Sequence, residues 1–247
     1  MVTEAMSILS VDLASRRYRD LGIAAIKLNQ RGVICHFVSP QNSALQGAPS
    51  AQILASFLKG IAEETNSSVI FIDGPQGWKD PANGLEHCRV CERQCSTPGK
   101  TGVPGSVKPA SWTYMAEFSI ELFDQLDALG FSRLEDATDL RTGKPVALES
   151  FPTSAWKALG LKPLPGKSSR SPIDIRNGLR SLTELVPIAV GSQPTHDELQ
   201  ALVAALAGLP LLGFPGIDYS LAGVAPVQIQ GTWREGFIVN PTRQPRG

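Results

Sequence analysis

Two short apolar runs in this chain each end in an aspartate: Ser7-Ile8-Leu9-Ser10-Val11-Asp12, and later Val69-Ile70-Phe71-Ile72-Asp73. Runs of that length, rich in β-branched residues, read as buried strands, and neighbouring strands lie about 4.8 Å apart. If the two pair in register, two carboxylates meet at one sheet edge. Two anions there repel unless something positive sits between them, and their hard oxygens suit Mg²⁺ or Mn²⁺.

The stretch between the runs must bring the second strand beside the first. Leu21 to Leu28 and Gly32 to Val38 are strand candidates joined by the polar turn Asn29 to Gly32, so the first three strands predict an antiparallel meander. Ala51 to Glu64 then spaces Ile53, Leu54, Phe57, Leu58 and Ile61 as an amphipathic helix does. A strand, a crossover helix and a further strand make a parallel connection, which sets the Asp73 strand beside the first.

Residues 74–111 are rich in Gly, Pro and Cys and read as an irregular insertion in one domain spanning 1–247. Helical spacing returns over Trp112 to Leu129. Val146 to Phe151 is a short strand carrying Glu149, and helices are expected over Ser154 to Leu159 and Pro172 to Val186. Thr195 followed by Glu198 is a capping box that starts a last helix, with Asp197 in its first turn. The tail, 225–241, reads as a hairpin turning at Arg234 to Gly236.

This order, strands and helices with acidic residues on the first, fourth and fifth strands and the last helix, is that of the ribonuclease H-like fold: a mixed five-stranded sheet flanked by helices. The segments SVDLASRRYRDLGIAAI, VIFIDGPQGW, LESFPTSAWKALG, THDELQALVAALAG and REGFIVNP also resemble domain-of-unknown-function family 429, a group of predicted RNase H-like nucleases related to the RuvC resolvases. The resemblance implies that Asp12, Asp73, Glu149 and Asp197 form an acidic catalytic site that holds Mg²⁺ or Mn²⁺, with Asp12 as the central ligand.

The chemistry fits that implication. Two-metal hydrolysis of a phosphodiester needs cations about 3.5–4 Å apart, and carboxylates from separate elements can hold them. Each residue also has a plainer reading. Asp12 and Asp73 stand where turn-capping aspartates stand, Glu149 could face solvent on an edge strand, and Asp197 is favoured by the helix dipole alone. His196 is a candidate base or phosphate contact.

Arg16, Arg17, Lys167, Arg170, Arg176 and Arg180 are candidates for contacting nucleic-acid phosphates, or else a solvated charged face. His87, Cys88, Cys91 and Cys95 form H-C-x-x-C-x-x-x-C, half of a zinc site that His87 or the distant Cys35 could complete, or a set of free thiols. Lys100-Thr101-Gly102 lacks the glycine spacing of a phosphate loop.

Lys plus Arg and Asp plus Glu balance at 23 each, so any polyanion site must be a local patch. No apolar stretch is long enough for a membrane span and no signal-peptide pattern opens the chain, so a cytoplasmic protein is expected. The leading expectation is a metal-dependent nuclease. The alternatives are a ribonuclease H-like module that binds without catalysis, and an actin-like phosphotransferase. Leu13-Ala14-Ser15-Arg16 after Asp12 argues against the last, which needs glycines there.

Overall fold

The computed structural model describes residues 6–40, 45, 47–136, 138, 140, 142–167, 169 and 171–244. Strands β1 (Ser7–Asp12), β2 (Gly22–Asn29) and β3 (Gly32–Phe37) form the expected antiparallel meander. Helix α1 (Ala51–Thr65) crosses over to β4 (Ser67–Asp73), which lies parallel to β1. Ser50 caps α1, accepting from the Ile53 N–H, and Leu54, Leu58 and Ile61 face inward. Burying each such side chain is worth about 1.5–3 kcal/mol, so this face fixes the crossover.

The insertion contains α2 (Val90–Cys95) and a small separate ribbon of β5 (Lys100–Thr101) and β6 (Val107–Lys108). Helix α3 (Thr113–Ala128) and the short β7 (Ser132–Arg133) lead to β8 (Val146–Ser150), parallel to β4. Then come α4 (Pro152–Ala158), α5 (Pro172–Leu185), β9 (Ile188–Val190), α6 (His196–Ala205), β10 (Ile217–Ile229) and β11 (Thr232–Arg243). No helix among the described residues is long and apolar enough to cross a membrane.

The central strand order is β3-β2-β1-β4-β8, the ribonuclease H-like arrangement expected from the sequence. It is the middle of a larger mixed sheet of nine described strands. β9 extends one edge and β11 with β10 the other, while β7 and β11 share the outer side of β8. The side chains of Leu9, Val11, Ile70 and Ile72 pack under α1 and α3, and those of Ile8, Phe71 and Leu148 under α4, α5 and α6. Period-two alternation along each strand thus sorts two cores onto two faces.

The tail corrects one expectation. The hairpin runs from Ile217 to Arg243 and turns after Ile229, at Gln230 and Gly231. Arg234 to Gly236 lie inside β11 instead. Glu235 and Gly236 do have positive φ, 57° and 126°, but they sit opposite a bulge at Ala225-Pro226, where a proline's missing N–H costs no ladder bond. Left-handed residues mark a kink here, not a turn.

Candidate active site

β1 and β4 pair with Asp12 directly beside Asp73, so the two aspartates leave the same face of the sheet at the same edge. Asp12 is buried and Asp73 partly so. Their carboxyls share a hydrogen bond. Burial first, then the Asp73 charge and the shared bond, raise Asp12 well above the ordinary carboxylate range. Burial also lifts Asp73, to about 6, although the bond from Asp12 pulls it down. A pair that cannot ionise freely is poised to exchange protons for a cation.

Asp197 joins them through a close helix approach. Thr195 caps α6 by accepting from the Glu198 N–H, and Glu198 returns to the Thr195 N–H. α6 lies against β1 and β2 over Gly22, the residue beside Asp12. A Cβ on Gly22 would come within 2.1 Å of the Asp197 carbonyl carbon and 2.5 Å of the Glu198 nitrogen. Only glycine permits this contact. The Asp197 charge is felt at both Asp12 and Asp73. Burial works against that charge, but hydrogen bonds from His196 and Lys167 outweigh it and hold Asp197 below the usual range.

Lys167 Nζ lies 2.9 Å from Asp197 Oδ2, and its charge favours ionisation of Asp12 and Asp73 as well. His196 is buried, with Nδ1 2.9 Å from Asp197 and Nε2 3.0 Å from the Pro165 carbonyl. Both ring nitrogens are thus engaged, and the ring ties the Lys167 loop to α6 instead of standing free as a base.

Glu149 is placed differently. It pairs with Ile72, and the neighbour of Asp73 is Ser150, so one residue of register sends Glu149 to the opposite face. There Arg89 Nη1 and Nη2 each lie 2.7 Å from one of its oxygens, and the Gln76 N–H donates to it at 3.0 Å. Arg89 is 1% exposed and also bridges to Glu92, which accepts from the Thr101 N–H. Burial pushes Glu149 upward and Arg89 opposes it. Its charge still reaches Asp73.

A cleft of about 730 Å³ opens beside Asp73, lined also by Arg16, Lys100, Glu149 and Lys167. Of the basic candidates, Arg16 and Lys167 line it. Arg17 pairs with Asp20, Arg176 and Arg180 lie exposed on α5, and Arg170 lies outside the described residues. Lys100 donates to the Thr97 and Glu92 carbonyls, at 2.5 and 3.3 Å, and so anchors its own loop.

The cysteines do not assemble. α2 packs against β10 and β11, whereas Cys35 is buried in β3, five strand spacings from β11 or roughly 24 Å, and so cannot complete a site with Cys88. Cys91 is buried, Cys95 accepts from Asn240, and His87 lies against Gly102. Among the described residues no three His, Cys, Asp or Glu side chains are gathered so as to hold a metal ion. That holds for the acidic cluster too, where the set in place is the pair Asp12 and Asp73.

Sequence reasoning did not single out Arg89 as the partner of Glu149, nor Glu92 and Glu235. Glu235 is buried and accepts from the Asp80 and Val90 N–H groups and from Asn83 Nδ2, at 3.0, 2.8 and 2.6 Å. It organises the insertion from within β11. The glycine opening β2 was the readable signal for the α6 contact, since strand glycines mark close backbone approach.

No family model matches the chain, and no curated protein matches it. Among solved structures, the human cytomegalovirus terminase nuclease domain aligns over 83% of this chain and 83% of its own, at 9% identity and a TM-score of 0.28. A likeness at that score carries no function across.

Proposed function

We propose that the chain is a metal-dependent hydrolase of nucleic-acid phosphodiesters, with Asp12 and Asp73 as its cation ligands. The observation that carries this reading is the in-register pair itself, a buried and a partly buried carboxylate sharing a hydrogen bond, with Asp73 lining a cleft. Mg²⁺ is commonly held by one or two carboxylates together with substrate phosphates, so a pair is a sufficient protein contribution. A divalent cation there would polarise the phosphate and lower the pKa of water. The resemblance to domain-of-unknown-function family 429 and the ribonuclease H-like strand order agree with this reading.

The chain's own residues have distinct parts in it. Asp73, which lines the cleft, and Asp12 beside it would hold the cation together, and the proton that Asp12 shares with Asp73 would leave on loading. Lys167, held by Asp197, and Arg16 supply positive charge where a phosphate backbone would enter. Glu149, closed by Arg89, contributes field and framework and leaves the direct ligation to the pair.

Purified protein incubated with labelled single-stranded and duplex DNA and RNA is expected to cleave at least one of them with Mg²⁺ or Mn²⁺ and none in EDTA. Asp12→Asn and Asp73→Asn, each folded by circular dichroism, should lose at least about a hundredfold in rate, the scale of several kcal/mol of charge stabilisation. Unchanged cleavage by either variant, or none by the wild type on any substrate, contradicts the reading.

A further inference from the structure

The cleft has a wall that phosphodiester hydrolysis alone does not use. Val107, Trp112, Tyr114 and Met115 line it together with Pro98 and Gly99. Trp112 and Tyr114 are 44% and 53% exposed, large aromatic surfaces left open beside a charged centre. Their positions are fixed from behind. A Cβ on Gly99 would come within 2.4 Å of Trp112 Cε3, so the indole rests on bare backbone, and Lys100 pins that loop to the Thr97 carbonyl. The Tyr114 ring lies 6.5 Å from that of Phe118.

Ser150 adds a polar group to the same cleft. It is 2% exposed, stands beside Asp73 in the sheet, and its hydroxyl has no partner among the described residues. Pre-positioned aromatic faces, a buried hydroxyl and flanking cations are the parts of a site for a flat, polar-edged ring attached to a phosphate. Bases in a duplex keep their faces covered by their neighbours, so only an unpaired base can stack on protein rings.

We propose that Trp112 and Tyr114 are a stacking platform for an unpaired nucleobase, so that the cleft takes single-stranded nucleic acid in preference to duplex. Placing the adjoining phosphate at Asp12 and Asp73 rests on the hydrolytic reading; the base site itself does not. Lys167 and Arg16 line the same cleft and suit the adjoining backbone phosphates.

The test is fluorescence anisotropy in Ca²⁺ with three labelled probes: a short single strand, the same strand with abasic positions, and its blunt duplex. The single strand should bind about tenfold more tightly than the abasic one, as stacking of one base allows. Trp112→Ala should remove most of that difference and Trp112→Phe should restore it. Because Trp112 is exposed, the substitution leaves the core intact.

Equal binding of all three probes, a Trp112→Ala effect that is the same on intact and abasic strands, or no binding at all overturns the base site. The two proposals fail separately. Base-dependent binding in a wild type that cleaves nothing keeps the platform and removes the hydrolase; cleavage with base-independent binding does the reverse.

Discussion

Asp73 shares the pH dependence of this site with Asp12. Its carboxyl is raised to about 6 in the fold, chiefly by burial, whereas in the unfolded chain it ionises near the ordinary value of 3.8. The unfolded state therefore sheds its proton first, and the stability present below about pH 4 is lost as pH rises through 6. Asp73→Asn removes that loss. Thermal or urea unfolding at pH 7.5 should show the variant more stable than wild type by roughly 1–3 kcal/mol, with the gap closing toward pH 4. An undiminished gap at pH 4 would point to packing instead of charge.

Glu149 makes the opposite case, since its partner is already in place. Truncation to alanine leaves Arg89 buried with Glu92 alone, and loss of one member of a buried pair costs about 3–5 kcal/mol. Glu149→Ala should unfold at markedly lower urea, and the double variant Glu149→Met with Arg89→Met should recover much of the loss. If the double variant is no better than the single, the ion pair is not what the mutation disturbs.

Among the elements, α6 decides how the cluster is assembled. Gly22→Ala puts a methyl into the Asp197 backbone and forces the helix off the sheet. Overpacking of this kind costs about 1–3 kcal/mol. The variant should also bind Mn²⁺ more weakly than wild type, because the Asp197 carboxylate shifts away from Asp12; wild-type stability and affinity together would show that the approach is unimportant.

This element level is also where the sequence was most readable. The meander, the crossover and the Asp12 and Asp73 register follow from apolar runs that end at a charged residue, and the α6 start follows from Thr195 and Glu198. Glu149 was legible as a site residue but not its face, because one residue of register separates Ile72 from Asp73. Arg89 and Glu235 were not legible in their roles: each bonds between the aperiodic insertion and a strand, to a partner 60 and 145 positions away. The hairpin turn was misplaced because Glu235 and Gly236 look like a turn and are a kink opposite a bulge.

For the molecule as a whole, equal numbers of acidic and basic residues mean that any polyanion affinity has to come from a local patch, and the proposed one is the cleft. Glu235 and, through Arg89, Glu149 tie the insertion to the sheet by long-range bonds, while Glu92 braces it from within. The insertion's Gly99 backs Trp112 of the aromatic wall at the start of α3, while the sheet gives the cleft Asp73. The carboxylate pair of Asp12 and Asp73 is the point at which these parts meet. Titration of Mn²⁺ by calorimetry or electron paramagnetic resonance tests it most directly. Wild type should bind Mn²⁺ at pH 7.5 with release of the proton held on Asp12, and lose affinity as pH falls through about 6 and Asp73 protonates too, and Asp12→Asn and Asp73→Asn should each abolish the binding while remaining folded. Binding that survives either substitution, or none in the wild type, contradicts the account.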